Sequence, residues 1–417
     1  MCPSAANDEQ GSFLELIGSW IKARLSEREH SFGSLVAALP GVDPIAVAAA
    51  LRELARREHK GAAAAASLLK DAEQAPATAI TTRERPLPHP LDFYWAHTPE
   101  SIDLLVGELA CFAQPPTTIA YLGTPNIFSA AAKSLHDQNH VLLDRSVPRP
   151  AALSNGAGRV VRLDLLHDEL PALNAGAAVL DPPWYPDHMR SFLWAAARVI
   201  RVGADLWVSF PPIGTRSTVA HETSAVLEWA AQGGLELVER RPGAIRYRSS
   251  PFELASHRAA GLGGIPSDWR TGELVRLRLC RRLPHARPPA PPDEAVWLPF
   301  AIHEIPVWVR ERQPDLDSIG PQLLRSIAPG DVLRTVSRRD PRRAHVDIWT
   351  SLNRVWASSH PPVLQAISRA LAEGSDPTAA VEADLTRRLG SAERQHVRAV
   401  ADHLSEVVRG EREEHGL

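Results

Sequence analysis

Short apolar runs of strand length recur through the middle of the chain. They close on a glycine or an acid, and helix-length stretches separate them. TIAYL, residues 118–122, ends at Gly123; HVLLD ends at Asp144; RVVRLDLL carries Asp164; AAVLDPPWY turns at Asp181. A helical stretch through SFLWAAARVI and a fifth run, DLWVSFPP, come next, and ELVER, AIRYR and ELVRLRL read as further strands. Short apolar strands alternating with helices predict a parallel sheet covered by helices. Such sheets bind ligands beyond the carboxyl ends of their strands, where the strand order reverses. The residues to read for chemistry are therefore Gly123–Asn126, Asp144, Asp164 and Asp181–Tyr185.

Proline divides the chain. The segment APATAITTRERPLPHP and the segment RRLPHARPPAPP carry it at a density that neither a helix nor a central strand tolerates. Three units are expected from the 417 residues: a helical domain over 1–75, an α/β domain over 92–283 and a mixed α+β domain over 293–417. Residues 76–91 and 284–292 would be the linkers. A net charge of −3 excludes a polycationic protein. Cys2, Cys111 and Cys280 are too few and too scattered for a disulfide framework or a structural zinc site. The N-terminus lacks the basic and apolar regions of a signal peptide, and no apolar run reaches the roughly 18 residues of a membrane span. A cytoplasmic protein without membrane partners is expected.

In the first unit Phe13, Leu14, Ile17, Trp20, Ile21 and Leu25 recur at helical spacing. The shorter helix SFGSLVAAL follows. Then Asp43 is placed as an N-cap with Pro44 at the first position of a third helix. Helix, short helix, turn and helix resemble the helix-turn-helix core of a winged-helix domain. Acids and bases nearly balance over 1–90, and the third helix is alanine-rich, with Arg52, Arg56, Arg57 and Lys60 towards its end. Packing against protein, including a second copy in a homodimer, is favoured over nucleic-acid contact.

The Asp181-Pro182-Pro183-Trp184-Tyr185 sequence holds the most chemistry. Two prolines after a strand remove two amide donors and stiffen the backbone, so carbonyl oxygens stand in a fixed array beside an acid and two aromatic rings. That set can accept hydrogen bonds from an amino group and lay a flat ring on an aromatic face. The plainer reading is a strand-to-helix turn in which Asp181 caps and proline starts the helix.

On these residues, 92 to about 280 resemble a class I S-adenosylmethionine-dependent methyltransferase of the N6-adenine branch, whose RNA-methylating members carry DPPW. The resemblance implies a Rossmann-like doubly wound core and S-adenosyl-L-methionine as cofactor. It implies that Asp181 and the Pro182 carbonyl bind the target amine, with Pro183 stiffening the turn and Trp184 or Tyr185 stacking on the acceptor. It also implies a cofactor loop at Gly123, Thr124 and Asn126, ribose hydroxyls on Asp144 and the cofactor adenine near Asp164. Methyl transfer from a sulfonium needs alignment more than a strong base. The loop departs from the branch in keeping only Gly123, followed by Thr-Pro-Asn. Two related groups tolerate such a loop: the adenine-methyltransferase-like enzymes that methylate a protein lysine, and the branched-polyamine synthases, which use a decarboxylated cofactor and have an N-terminal winged helix. LDFYWAHTPESIDLL is similar to the segment leading into the first strand in both.

The acceptor is expected to be an amine, adenine N6 in nucleic acid ahead of a protein lysine. An aminopropyl transferase and a non-catalytic, cofactor-sensing regulator are the competing readings. Only 58 positions separate Gly123 from Asp181, too few for a large DNA-recognition insertion. Arg216, after the fifth strand, is placed to touch the acceptor. Ten arginines against four acids between Glu239 and Arg282 form either a phosphate-tracking face or a charge-guarded sheet edge. In the third unit SRRDPRR reads as an exposed loop, Trp349, Asn353 and Arg354 as a polar-aromatic cluster, and Leu371, Val381, Leu385, Leu389 and Val397 as core. His303 with Glu304 and His345 with Asp347 lack metal spacing, so no metal is expected.

Overall fold

The computed structural model describes residues 3–56, 61–80, 87–92, 94–112, 117–145, 158–282, 284–289, 295–312 and 323–417. The chain forms two compact units. One comprises residues 1–71, 96–248 and 265–293; the other comprises 72–95, 249–264 and 294–417.

In the first unit the chain opens with helices α1 (Pro3–Glu27), α2 (Phe32–Ala38) and α3 (Pro44–Arg56) and leads into α4 (Ala62–Gln74). Ile17, Ile21, Leu35, Val47 and Leu51 are fully buried, as the helical periodicity requires. Asp43 does cap α3: its Oδ1 accepts from the Ile45 amide at 2.8 Å, with Pro44 beside it. No strand accompanies these helices among the described residues, so the expected wing is not seen there. Arg56 is paired with Glu53, while Arg57 and Lys60 lie outside the described residues. The helices also do not stand apart as a separate domain. A Cβ on Gly41, whose φ is +75°, would lie 2.2 Å from the Pro212 ring. A Cβ on Gly214 would lie 2.6 Å from the Pro40 carbonyl. The α2–α3 turn and the loop at 211–215 thus meet backbone to backbone, and glycine is what permits it.

The α/β core follows as α5 (Pro99–Phe112), β1 (Thr118–Leu122), α6 (Pro125–Ser134), β2 (Asn139–Asp144), β3 (Gly158–Arg162), β4 (Ala175–Leu180), α7 (Pro186–Val199), β5 (Ile200–Phe210), α8 (Val219–Gln232) and β6 (Leu235–Arg246). After α9 (Pro251–Ala259), which belongs to the second unit, β7 (Thr271–Leu279) completes a seven-stranded sheet in the order β3-β2-β1-β4-β5-β7-β6. The first five strands in that order are parallel and β7 runs against both its neighbours. This is the Rossmann-like architecture expected, with ELVER and AIR joined into the single strand β6. Apart from Thr118, which opens β1, the interior strands β1 and β4 carry no polar aliphatic residue and are almost entirely buried, as helices on both faces of a parallel sheet demand. Residues 284–289 are not a free linker: the His285 carbonyl accepts from the Trp194 indole at 3.0 Å and its ring stacks on Trp229. The apolar faces of α7 and α8 hold that proline-rich segment against the core.

The second unit contains β8 (Trp297–Ile302), β9 (Ile305–Arg310), β10 (Arg325–Ser326), β11 (Ile348–Thr350) and β12 (Val355–Ala357), in the antiparallel order β10-β12-β11-β9-β8. Helices α10 (Pro361–Glu373), α11 (Pro377–Asp384) and α12 (Ser391–Glu414) cover it. His303 and Glu304 form the two-residue turn between β8 and β9, both at positive φ, which is what a tight hairpin asks of its central residues. Val381, Leu389 and Val397 are buried and Leu371 and Leu385 pack against them, as the helical pattern requires. Leu87 joins that same core and Ile80 is buried beside Leu254 and Leu352. Ile80 and Leu87, in the proline-rich stretch expected to be a linker, therefore contribute packing.

Candidate functional site

Register builds the site. Leu122 of β1 pairs with Leu143 of β2 on one side and Leu180 of β4 on the other. One residue further, Gly123, Asp144 and Asp181 stand in a row at the carboxyl edge. Strand order reverses between β1 and β4, where such sheets open a crevice.

Gly123 has φ +68°, and a Cβ there would come 3.1 Å from the Phe192 ring of α7. Thr124 occupies the N-cap position of α6 without using its hydroxyl as a cap. That hydroxyl is buried with no protein partner, so the loop holds one polar atom free to bind a ligand. Asn126 turns its Oδ1 to the Ile127 amide at 2.9 Å and its Nδ2 to His97 Nδ1 at 3.2 Å. Asp144 is 8% exposed at the end of β2. Asp164 lies in the turn after β3, its carboxylate accepting from the Leu166 amide at 2.8 Å and facing the His167 ring at 3.2 Å.

Asp181 is not a helix cap. Helix α7 begins at Pro186 with Tyr185 at its N-cap position, and the Asp181 carboxylate faces the other way, into a polar cluster. Its Oδ1 accepts from the Tyr247 hydroxyl at 2.8 Å, and that hydroxyl lies 2.5 Å from Ser209 Oγ. His97 Nε2 stands 3.5 Å from Oδ2. Burial pushes the Asp181 carboxyl up to about 7, with the hydroxyls of Tyr247 and Ser209 pulling the other way. The same burial takes His97 down to about 4 and pushes Tyr247 well above the usual phenol range. The Asp181 side chain is 15% exposed.

Three elements bring these partners together. A one-residue antiparallel bridge joins His97 to Tyr247, and the amides of Thr98 and Arg248 close it on the carbonyls of Arg246 and Ala96. Directly opposed residues of such a bridge project to the same face, and the two rings lie 4.8 Å apart between centroids. Ser209 comes from the carboxyl end of β5. Gly272 on β7 leaves the room, since a Cβ there would meet Ser209 Oγ at 2.8 Å and the Trp184 ring at 3.0 Å.

The diproline loop is clamped from outside. Arg216 donates to the Trp184 carbonyl at 2.6 Å, pairs with Glu222 and lies 5.2 Å over the Tyr185 ring. Trp184 meets Tyr247 edge to face at 5.6 Å. Six of the ten arginines between 239 and 282 also have acidic partners: Arg240 with Glu273, Arg241 with Glu108, Arg246 with Asp268, Arg258 with Glu414, Arg276 with Glu239 and Arg278 with Asp205. Three of them, Arg240, Arg241 and Arg246, lie on β6, which is an edge strand.

The structure thus gathers Asp181, Asn126 and the loop at Gly123, with Asp144 beside them, and sets Asp164 in its own turn. His97, Ser209 and Tyr247 were not read from the sequence. Ser209 closes an apolar run, a position that could have marked it. His97 and Tyr247 lack such a signal, because only the bridge between distant segments gives them a role.

No protein family and no curated protein matches the sequence. Among solved structures, the branched-chain polyamine synthase of Thermus thermophilus, in complex with N4-aminopropylspermidine and 5'-methylthioadenosine, is similar at 17% identity. The match covers 67% of this chain and 90% of that one with a TM-score of 0.50, and the C9 mutein of that enzyme gives 0.51 over the same shares. A S-adenosylmethionine-dependent methyltransferase from Methanosarcina mazei matches at 10% identity and TM-score 0.28, over 41% of this chain and 96% of that one. At such identities the likeness is one of fold, and over about two-thirds of its length this chain has the fold of the Thermus thermophilus synthase.

Proposed function

We propose that this chain transfers an alkyl group from an S-adenosyl sulfonium donor to an aliphatic amine, with methyl transfer from S-adenosyl-L-methionine as the first reading. The observation that carries the proposal is the largely buried Asp181 carboxylate at the strand ends beside the donor loop, with a basicity near neutrality. An aliphatic ammonium, with a pKa of about 10.4, must lose a proton before its nitrogen can attack. An ordinary aspartate at about 3.9 would fall more than six units short as the acceptor of that proton. With its pKa raised to about 7, Asp181 closes roughly half of the gap. Adenine N6 is neutral before attack and sheds a far more acidic proton only once alkylated, so a lysine side chain or a polyamine suits this acid better than the adenine ring that the DPPW resemblance suggests.

The residues at the end of β1 suit an S-adenosyl donor: Gly123 in a left-handed conformation, the unpartnered Thr124 hydroxyl, and Asp144 within reach for hydroxyl groups. When bound, the donor supplies an electrophilic carbon on a positively charged sulfur. Asp181 takes a proton from the bound ammonium; the freed lone pair then turns to the donor carbon while a remaining N–H bond of the amine is held on the acid. Trp184 and Tyr185 offer aromatic faces to a cationic or apolar stem. Arg216 serves the loop, holding its backbone and the Tyr185 ring in place, and Pro182 and Pro183 keep the loop from relaxing.

A second reading, aminopropyl transfer from a decarboxylated donor, is favoured by the likeness to the polyamine synthase. That likeness covers 67% of this chain, more than residues 92–283 alone can supply. Calorimetric titration with S-adenosylmethionine and with its decarboxylated form, in the wild type and in Asp181→Ala, tests both. Tight binding of the first, unchanged by the substitution, supports methyl transfer with Asp181 serving the acceptor. Preference for the decarboxylated form supports aminopropyl transfer. Binding of neither defeats the proposal.

A further inference from the structure

Hydrogen-bond directions around Asp181 can be assigned one by one. The Ile127 amide donates to Asn126 Oδ1 at 2.9 Å, which fixes the orientation of that side-chain amide. The group turned to His97 Nδ1 at 3.2 Å is therefore the Asn126 NH2, which can only donate. Nδ1 must accept, and a neutral imidazole then carries its proton on Nε2, facing Asp181 Oδ2 at 3.5 Å. On the other oxygen the Tyr247 hydroxyl spends its proton on Oδ1 at 2.8 Å, so Ser209, 2.5 Å from that hydroxyl, must donate to it. From both ends, every proton of the chain Asn126–His97–Asp181–Tyr247–Ser209 points towards the acid.

We infer that His97 is a positioning residue for Asp181, and that Asn126, by fixing the tautomer of His97, ties the donor loop to the acid that receives the amine. This rests on the amine-transfer reading of the site. The physical content is that Tyr247 holds Oδ1 by a hydrogen bond while the His97 N–H faces Oδ2 at 3.5 Å. Asn126 sits in the first turn of α6, next to Gly123 and Thr124, so whatever occupies that loop acts on His97 through one hydrogen bond. Burial keeps His97 neutral, so it contributes a directed N–H and not a charge. The other groups that act on the acid are Tyr247 from the end of β6, Ser209 from β5 and, through Tyr247, Arg270 ahead of β7.

Two measurements on the ligand-free full chain decide it. Nitrogen-15 spectra of labelled histidine read the His97 tautomer directly. Carbon-13 titration of labelled aspartate, assigned through Asp181→Asn, reads the midpoint of Asp181. The expected wild-type tautomer is Nε2–H. Asn126→Asp replaces the donor by an acceptor and should move the His97 proton to Nδ1 or make the ring an imidazolium. His97→Gln keeps an N–H near the Nε2 position and should leave the Asp181 midpoint within a few tenths of a pH unit. His97→Asn lacks that donor and should raise the midpoint by about one pH unit. A wild-type ring protonated on Nδ1, or equal Asp181 midpoints in wild type and His97→Asn, overturns the inference, and the first needs no variant to fold. A protein that transfers no alkyl group to any amine would defeat the proposed function while leaving these spectra as expected, so the two failures are distinguishable.

Discussion

Replacing Asp181 by Asn should change how the stability of the first unit depends on pH. In the native protein the carboxyl has a pKa of about 7, against 3.8 when solvated in the unfolded chain. Below 3.8 both states hold the proton and the group has no effect on the balance. As pH rises from there to about 7 the unfolded state releases its proton first, and stability falls; above 7 the loss is complete. The gap of roughly three units corresponds to about 4 kcal/mol, of which about 2.5 kcal/mol falls between pH 5 and pH 8. An asparagine keeps an oxygen for Tyr247 but turns an NH2 towards the Nε2–H of His97, a cost that does not vary with pH. The diagnostic quantity is therefore the pH dependence of the difference between variant and wild type. Urea unfolding followed by a fluorotryptophan signal at Trp207, fully buried in β5, isolates this unit. The variant should gain about 2.5 kcal/mol on wild type between pH 5 and pH 8. A difference that stays constant over that interval would show that the acid is solvated in the native state, and both the burial and the proposed basicity would fall.

Tyr247→Phe removes a donor from the Asp181 anion and leaves Ser209 without its acceptor; the acid limb of the kcat/KM profile for amine transfer should move to higher pH by about one unit. Gly272→Val should preserve the sheet yet push against Ser209 and Trp184, lowering kcat/KM at least about tenfold, with circular dichroism as the check on folding. Gly41→Ala combines positive φ with a clash against Pro212 and should cost about 2 kcal/mol or more in thermal unfolding of the first unit. In the second unit, Glu411 is fully buried and accepts from the hydroxyls of Thr350 and Ser351 and from the Leu352 amide. Glu411→Ala strands these donors and should cost about 3 kcal/mol, read by thermal unfolding at a labelled Trp349.

Much of the fold was legible because its signals are local. A strand that is buried on both faces must be apolar along its length, so β1, β2 and β4 are visible as TIAYL, HVLL and AAVL. Asp43-Pro44 announces the start of α3 because an N-cap and a first-position proline act within one turn. The domain limits were harder to read. Proline density marks where regular structure stops, not where packing stops, and Leu87 and His285 find partners despite it.

For the site, sequence alone determined which residues stand at the strand ends, because a polar residue closing an apolar strand has only the carboxyl edge to occupy. Gly123, Asp144 and Asp181 follow from that rule. What those residues can do was decided by tertiary structure. The near-neutral basicity of Asp181 comes from desolvation, tempered by the hydroxyls of Tyr247 and Ser209, and the N–H that faces its second oxygen comes from a histidine 84 positions earlier in the chain. A pKa depends on the medium and charges around a group, and a tautomer on the partner at its far nitrogen. Both are set by residues remote in sequence that only folding brings together.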